Sequence, residues 1–224
     1  MTNKAVILLS SGLDSLVSLY SARKTLDVVL AITFDYGQKA AKDEINAAKK
    51  ICEKLNIEHK IIELPFLSQA VDNALTNDDK KLAVSELNLN SMKSVWVPNR
   101  NGLFLNIAAV YAEKLDAKYI IFGANKEEAQ TFSDNSLEFI KSANELFQFS
   151  TLNKPTVLAP LANLNKAEIV NLGISLDVDF SLLKSCYDNS EKTSKAHCGV
   201  CESCVRLKNA ILSSNNKDLI NLLF

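Results

Sequence analysis

AVILLSSGLDS, at residues 5–15, joins a short apolar run to a small polar loop, which leads into a helix-forming segment at 16–24. Five consecutive apolar residues followed by such a loop are typical of a buried parallel strand. A loop between a strand and a helix presents backbone N–H groups and the positive end of the helix dipole to a ligand. The stretch therefore predicts an α/β fold with a phosphate-binding loop at 10–15. A plain turn with Ser or Asp as helix cap is the alternative.

The same alternation continues along the chain, and it predicts a doubly wound, mainly parallel sheet. Further short β-rich runs lie at 28–34, 59–63 and 119–123, and helical patterns lie at 42–55 and 101–115. In the first of these helices, Cys52 falls on the apolar face, so we expect it to pack in the core. The length of 224 residues fits a single domain spanning 1–224, with a nucleotide-binding core at about 1–180.

Composition excludes several functional classes. The formal net charge is −1 and 47% of residues are hydrophobic, which is typical of a globular protein without a general affinity for nucleic acid. No apolar run approaches the roughly 20 residues that would span a membrane. We therefore expect a cytoplasmic protein with a small-molecule substrate, no membrane association and no nucleic-acid partner.

A polar stretch at 64–95, rich in Asn, Asp and Ser, lacks sustained periodicity and is longer than most connections in a compact domain. It is expected to be a surface excursion. A lid over the active site and an inert insertion are both consistent with it.

Four of the five cysteines lie close together near the C-terminus, with C-x-x-C-x-x-C spacing preceded by one more cysteine. Four thiolates form the closed tetrahedral set that structural Zn²⁺ prefers. The pattern predicts a small, helical, zinc-binding segment at about 181–224. An iron–sulfur cluster and unligated thiols are alternatives, and His197 is a less favoured ligand. The predicted ligands are Cys186, Cys198, Cys201 and Cys204.

The loop at 10–15 resembles the Ser-Gly-Gly-x-Asp-Ser loop of the ATP pyrophosphatase superfamily, which cleaves ATP between its α and β phosphates. Ser11 stands where that superfamily usually has glycine. Gly12 would let the backbone approach the phosphates, and Asp14 either holds Mg²⁺ or caps the helix. The lysine of a Walker A loop and the spaced glycines of a dinucleotide fingerprint are both missing.

Over nearly its whole length, the chain resembles the 7-cyano-7-deazaguanine synthase family. Besides the loop and the cysteines, the matching segments are Phe34-Asp35-Tyr36-Gly37-Gln38, Val97-Pro98-Asn99-Arg100-Asn101, Gly123-Ala124-Asn125, Asp134 with Glu138 and Phe139, Pro160-Leu161, Asn165-Lys166-Ala167-Glu168-Ile169, and Ser185-Cys186-Tyr187.

The chain also departs from the family pattern at several positions. Asn99 replaces a usual glycine, as Ser11 does. Around Asp134, the family's Tyr-Pro-Asp-Cys-Arg run is replaced by Phe132, Ser133, Asn135 and Ser136. The arginine expected at position 136 is therefore missing.

The resemblance implies an adenine nucleotide alpha hydrolase-like fold and a nitrile-forming carbon–nitrogen ligase of queuosine biosynthesis. Its substrates would be 7-carboxy-7-deazaguanine, ammonia and ATP, with Mg²⁺ and Zn²⁺ as metals, and a homodimer is expected. The reaction would pass through an adenylated carboxylate and an amide.

Candidate site residues follow from the loop and from the matching segments. Asp14, Ser15 and Arg100 are the expected catalytic residues, because a positioned guanidinium and loop hydroxyl stabilise phosphate charge. The expected cofactor-binding residues are Leu9, Ser10, Ser11, Gly12, Leu13, Asp14, Ser15, Asp35, Tyr36, Gln38, Asn125 and Asp134.

Two rival functions are compatible with parts of this pattern. A tRNA-modifying enzyme, of the thiolation or lysidine-forming type, shares the pyrophosphatase loop. A non-catalytic ATP-binding or zinc-binding module would bind nucleotide without consuming it.

Overall fold

A computed structural model describes residues 3–77, 80, 95–187 and 197–224. Five parallel strands form one sheet in the order β3-β2-β1-β4-β5. They are β1 (Lys4–Leu8), β2 (Asp27–Asp35), β3 (Glu58–Glu63), β4 (Tyr119–Ile121) and β5 (Thr156–Leu158). The predicted doubly wound parallel sheet is confirmed.

Helices connect the strands and extend beyond the last of them. Their bounds are α1 (Leu13–Ala22), α2 (Ala41–Leu55), α3 (Pro65–Ala70), α4 (Arg100–Lys114), α5 (Lys126–Ala129), α6 (Leu137–Ser150), α7 (Lys166–Ser175), α8 (Glu202–Ser213) and α9 (Asp218–Leu223). Short 3₁₀ turns lie at Ser133–Asn135 and Phe180–Leu182.

Both faces of the sheet are covered. Along β1, Ala5 and Ile7 belong to one buried hydrophobic cluster, whereas Val6 and Leu8 belong to the other. This alternation follows from the two-residue period of a strand, and burial on both faces explains why β1 reads as a continuous apolar run. Cys52 is buried in the first cluster, as predicted, and burial raises the pKa of its thiol to about 12.

The strand order places the loop after β1 at a switch point. The sheet grows from β1 to β2 and β3 on one side and to β4 and β5 on the other. Helices that leave β1 and β4 then diverge, which opens a crevice at the carboxyl ends of the strands, where ligands bind in such sheets. The loop at 9–12 therefore lies where the sequence analysis expected a nucleotide.

Several predicted boundaries differ from the structure. Helix α1 begins at Leu13, three residues earlier than predicted, so Asp14 and Ser15 lie in its first turn. Gly12, with extended backbone angles, is the residue before the helix, and no side-chain cap is present there. The alternative in which Asp14 caps the helix is therefore wrong. Strand β4 ends at Ile121, two residues short of the prediction.

The polar stretch at 64–95 contains a helix that its sequence did not predict. Helix α3 begins with Pro65 and buries Leu67. Residues 78–79 and 81–94, which make up half of the predicted excursion, lie outside the described residues.

The C-terminal helices pack on the main sheet layer. Leu207 and Ile211 of α8, together with Leu223 of α9, share a buried cluster with Ile7 of β1. Within the described ranges, no helix is both long enough and apolar enough to cross a membrane.

Candidate active site

A cavity of about 250 Å³ lies at the carboxyl edge of β1, β2 and β4. Nine of the predicted site residues line it, and they include the three predicted catalytic residues. These nine are Leu9, Ser10, Gly12, Leu13, Asp14, Ser15, Tyr36, Gln38 and Arg100.

The loop after β1 is held by its own hydroxyl groups. The Ser15 hydroxyl donates to the carbonyl oxygen of Gly12 at 3.1 Å and accepts from the backbone N–H of Ser10 at 3.3 Å. Gly123, just after β4, lies against this loop: a Cβ there would be 3.1 Å from the backbone nitrogen of Ser15. Glycine at 123 thus permits the close approach of the loop and the end of β4.

Ser11 adopts the left-handed backbone conformation, with φ of 61°, which glycine adopts without steric cost and serine does not. Its side chain is fully buried, and it donates to the carbonyl oxygens of Ser10 at 2.5 Å and Glu44 at 3.3 Å. The hydroxyl is thus directed at the backbone of α2, and Ser11 is not among the residues that line the cavity.

Lys166 joins two carboxylates at one wall of the cavity. Its ammonium nitrogen lies 2.9 Å from Asp14 Oδ2 and 2.8 Å from Glu128 Oε1. Burial disfavours the charged lysine, but the two carboxylates outweigh this effect and raise the pKa of Lys166. Burial raises the pKa of Asp14 against the opposing effect of Lys166, whereas Lys166 overcomes burial and lowers the pKa of Glu128.

One oxygen of Asp14 remains available. Asp14 Oδ1 is buried and has no hydrogen-bond partner among the described residues, and the same holds for the side-chain nitrogen of Asn125. A buried polar atom without a partner is costly in a finished site, so these two atoms mark a place where a bound ligand would complete the hydrogen bonding.

Another part of the lining is built from the turn after β2. The Arg100 guanidinium donates to the Tyr36 hydroxyl at 3.1 Å. The Gln38 amide accepts from the Tyr36 backbone N–H and donates to the Phe34 carbonyl and to Glu44 Oε2, each at 2.9 Å. Gln38 is thus engaged by the protein, and it fixes both the turn and the Glu44 carboxyl.

Asn99, the second substitution for glycine, also adopts positive φ, at 55°. Asn tolerates this conformation better than most residues. A Cβ at Gly102 would overlap the Asn99 side chain, so Gly102 provides the space for that side chain. Together they place Arg100 at the first position of α4.

Four predicted residues lie near the cavity but do not line it. Ser11 faces α2, and the Asp35 carboxylate accepts from the Gly37 backbone in the turn. Asn125 accepts from the backbone N–H of Glu128 and so caps α5. Asp134 is buried beside Arg100, whose charge opposes the rise in its pKa that burial causes.

The cavity lining also contains charged and polar side chains that were not predicted as site residues. Lys166, Ser185 and Tyr187 occur in the family-like segments, which was the available signal, whereas no local pattern singles out Glu44, Glu128 or Arg206. The additional charged and polar lining residues are Thr33, Lys39, Glu44, Asn101, Glu128, Asn135, Lys166, Lys184, Ser185, Tyr187, Ser203 and Arg206.

Charge at the cavity favours an anionic ligand. Five basic side chains and three acidic side chains belong to its lining. The basic residues are Lys39, Arg100, Lys166, Lys184 and Arg206, and the acidic ones are Asp14, Glu44 and Glu128.

The four predicted cysteine ligands converge on one point. Their sulfur atoms all lie within 4.8 Å of one another, with 4.0 Å between Cys186 and Cys201 and 3.8 Å between Cys198 and Cys204. A tetrahedral ion with Zn–S bonds of about 2.3 Å separates its sulfurs by about 3.8 Å. The four thiols therefore fit a single tetrahedral metal ion.

His197 does not belong to this cluster. Its Nε2 accepts from the Ser185 backbone N–H at 3.1 Å, and its Nδ1 lies 3.2 Å from the Leu223 carbonyl oxygen. The Ser185 hydroxyl in turn accepts from the backbone N–H of Leu13 at 3.3 Å. His197 therefore connects the C-terminal segment to the loop after β1.

Known proteins match this chain over most of its length. The sequence model of a family described as queuosine biosynthesis protein QueC matches residues 4–215. A 7-cyano-7-deazaguanine synthase from Carboxydothermus hydrogenoformans is 49% identical over 214 residues, which cover 92% of this chain and 97% of that protein. One from Methanocaldococcus jannaschii is 46% identical, with 96% and 97% covered.

A likeness among solved structures concerns the fold. An NH3-dependent NAD synthetase from Campylobacter jejuni superposes with a TM-score of 0.51 at 19% sequence identity. The match covers 100% of this chain and 80% of that chain. At this identity the likeness indicates a shared architecture.

Proposed function

This chain belongs to the family of queuosine biosynthesis protein QueC, and from that membership we propose that it converts 7-carboxy-7-deazaguanine and ammonia to 7-cyano-7-deazaguanine with ATP. The observation that most directly supports this proposal is the cavity at the switch point, which is lined by the loop at 10–15 and by five basic side chains. A carboxylate is a poor electrophile, so its conversion to a nitrile requires activation by a phosphoryl compound.

The first step is attack of the substrate carboxylate on the α-phosphorus of ATP, which gives an acyl adenylate and pyrophosphate. Ser10, Gly12 and Ser15 would hold the phosphates beside the start of α1. Arg100 would offer its planar guanidinium to a phosphate or to the carboxylate. Their contribution is positioning and charge stabilisation.

Mg²⁺ would bind at Asp14. Its buried Oδ1 lacks a partner among the described residues, and a carboxylate oxygen is a preferred ligand of this ion. When bound with ATP, the ion would neutralise phosphate charge. Lys166 keeps the other oxygen of Asp14 in place.

The deazapurine would lie against the apolar part of the same cavity. Phe34 and Phe104 stack with their ring centroids 3.9 Å apart, and both line the cavity. Leu9 and Tyr36 extend this surface. Asp35, Asn125 and Asp134 would act from behind the lining, by fixing the turn, the start of α5 and Arg100.

Zn²⁺ is the proposed occupant of the four-cysteine site, with a structural role. The short distances between sulfurs suit one ion, whereas a multi-iron cluster would bind each thiolate through a separate iron and hold the sulfurs further apart. With four protein ligands, no position would remain for substrate. The proposed segment at about 181–224 would thereby be fixed to the core at about 1–180.

A reducing compartment, hence the cytoplasm, fits five cysteines that form no disulfide, since a cluster of thiolates requires that disulfides do not form. We also infer a homodimer. Val110, Phe149 and Leu152 are 65%, 91% and 89% exposed, and the Leu152 backbone N–H donates to Glu113 of α4. Sedimentation of the wild type and of a Phe149→Asp, Leu152→Asp variant tests this: a wild-type monomer contradicts it.

Reconstitution tests the proposed activity. Purified protein is incubated with 7-carboxy-7-deazaguanine, ammonium and Mg-ATP, the base is followed by mass spectrometry, and the nucleotide by chromatography. The expected products are the nitrile, AMP and pyrophosphate. Binding of ATP without any change in the base would instead favour a binding module, and retention on tRNA at moderate salt would favour an RNA-modifying enzyme.

Asp14→Ala provides the matched variant. It should fold but lose turnover, because it removes the proposed magnesium ligand. Lys141→Ala is the control, since Lys141 is 80% exposed on α6 and, among the described residues, forms an ion pair with Glu145 at 4.0 Å. Full activity in Asp14→Ala would contradict the assignment of the loop.

A further inference from the structure

The proposed reaction places a strong demand on proton transfer. Nitrogen enters as ammonium with four N–H bonds and leaves in a nitrile with none, so four protons must be removed from one atom inside the cavity. A side chain that accepts protons at the reacting nitrogen is therefore needed, and this inference rests on the proposed function.

Three carboxylates line the cavity, and two of them are already neutralised. Asp14 and Glu128 both pair with the Lys166 ammonium, at 2.9 and 2.8 Å. The Lys166 ammonium stabilises the charged form of both carboxylates, and Asp14 is already assigned to Mg²⁺. Both would serve an electrostatic role better than a basic one.

Glu44 differs from these two. Within the described part of the chain it has no ion pair within 4.0 Å, and its hydrogen-bond donor is the neutral amide of Gln38 at 2.9 Å to Oε2. No hydrogen bond to its Oε1 is formed among the described residues. One oxygen of this carboxyl is thus anchored, while the other is available to a ligand in the cavity.

The location of Glu44 is fixed from two sides. Gln38 is itself held by Tyr36 and Phe34 at the end of β2. The buried hydroxyl of Ser11 donates to the Glu44 carbonyl oxygen, which ties this turn of α2 to the loop after β1. Glu44 therefore lies between the phosphate loop and the turn that carries Tyr36, in the same cavity as Arg100.

Its surroundings favour proton binding. Burial raises the pKa of Glu44 to about 7, against the opposing effects of the Gln38 hydrogen bond and the Arg100 charge. The negative charges of Asp35 and Asp43 raise the Glu44 pKa further. Lys184 forms an ion pair with Asp43 at 3.1 Å. A carboxylate that titrates near neutral pH is suited to general base catalysis.

We propose that Glu44 is the proton acceptor for the nitrogen nucleophile. In the first step, ammonium gives one proton to the Glu44 carboxylate, and the nitrogen lone pair attacks the acyl carbon of the adenylate. The C–O bond to AMP breaks, and a second proton leaves nitrogen to give the amide. A second ATP then adenylates the amide oxygen. The two remaining protons leave nitrogen as the C–O bond to this second AMP breaks, which gives the nitrile. Glu44 is required for the first of these protons and passes it to water before the next turnover; the later protons leave a nitrogen that its bond to the acyl or imidate carbon makes strongly acidic, so water accepts them.

Glu44→Gln separates this role from adenylation. Carboxylate-dependent exchange of pyrophosphate into ATP needs no nitrogen, so the variant should retain it within about twofold. Its kcat/KM for ammonium at pH 7 should fall by about 10²–10⁴-fold, which is typical of a lost general base. The deficit should shrink as pH rises, because free ammonia then reaches the adenylate without a protein base.

Hydroxylamine provides the decisive measurement. It is largely uncharged at neutral pH, so it does not have to lose a proton before attack, and the variant should form the hydroxamate at close to the wild-type rate. A purely structural role for Glu44 would reduce hydroxamate and amide formation together, and that result would overturn the proposal. Glu53→Gln, an exposed position on the same helix, is the control and should behave as wild type.

The outcomes also separate this inference from the proposed function. If wild-type protein makes the nitrile and Glu44→Gln uses ammonium equally well at pH 7, only the role of Glu44 is overturned. If wild-type protein makes no amide or nitrile, the proposed function fails, and the role of Glu44 fails with it.

Discussion

The ammonium nitrogen of Lys166 lies 2.9 Å from a carboxylate oxygen of Asp14, although 152 residues separate the two in the chain. This contact joins the first turn of α1 to the first turn of α7, at one wall of the cavity. Both side chains are largely buried, with 12% and 16% exposed. The pair therefore fixes one wall of the proposed phosphate site.

Lys166→Met should be strongly destabilising. It leaves Asp14 and Glu128 facing each other in a buried site without a cation, and removal of one partner from a buried pair typically costs about 3–5 kcal/mol. Urea unfolding at pH 7 measures the loss. Lys141→Met, at an exposed pair, should change the free energy of unfolding by less than about 1 kcal/mol. An equal effect of the two substitutions would contradict this account.

The contrast between Lys166 and the cysteines shows what the sequence could reveal. Cys198, Cys201 and Cys204 are separated by a turn each, so their spacing alone predicts convergence. The sulfur of Cys186 joins them through the fold, yet its proximity in sequence made it a natural fourth member. Lys166 contacts Asp14 because the fold places the start of α7 at the switch point. No local sequence pattern predicts that placement.

The same distinction applies to the fold. Strand β1 and its loop were predicted because a two-sided apolar run and a polar turn have local signals. Strand β5 has three residues, Thr156–Leu158, and is defined mainly by pairing with β4, which the sequence does not show. The N–H of Leu13, at the start of α1, is satisfied by the Ser185 hydroxyl, which lies far along the chain.

Ser11 should respond unusually to substitution. Ser11→Ala keeps the left-handed strain and loses the hydroxyl that donates to Ser10 and Glu44, at a cost of about 1 kcal/mol. Ser11→Gly loses the same hydroxyl but relieves strain of about 1–2 kcal/mol, partly offset by a more flexible unfolded chain. We expect Ser11→Gly to lie within about 1 kcal/mol of wild type and above Ser11→Ala. The reverse order in urea unfolding would argue against strain at this position.

Glu44→Gln should also change how stability depends on pH. The pKa of Glu44 is raised from 4.5 to about 7 in the folded protein, so between these values the folded state binds more protons than the unfolded state. Stability contributed by Glu44 is thus present below pH 4.5 and is lost as pH rises towards 7. The glutamine variant, which keeps the acceptor for Gln38, should not show this loss.

At pH 8, Glu44→Gln should therefore exceed wild type in free energy of unfolding by up to about 3 kcal/mol, and the two should converge near pH 4.5. Urea titrations across this range measure the difference, with Glu53→Gln expected to follow wild type throughout. A variant that is less stable than wild type at pH 8 would show that the Glu44 carboxylate is not destabilised by burial.

Removal of the proposed Zn²⁺ should loosen the C-terminal segment and, through it, the loop after β1. The four thiols bring Cys186 to the start of α8, and the residue before Cys186, Ser185, accepts from the Leu13 backbone. Chelation, or Cys186→Ser, should therefore lower the free energy of unfolding by about 3 kcal/mol or more, with a Tm decrease of about 10 °C. ATP binding should weaken in parallel, because the start of α1 loses a constraint.

Cys52→Ala is the control: Cys52 lies in the core away from this site, so the variant should keep the zinc content at one ion per chain. Loss of activity after chelation with an unchanged Tm would contradict a structural metal and would point to a role in catalysis.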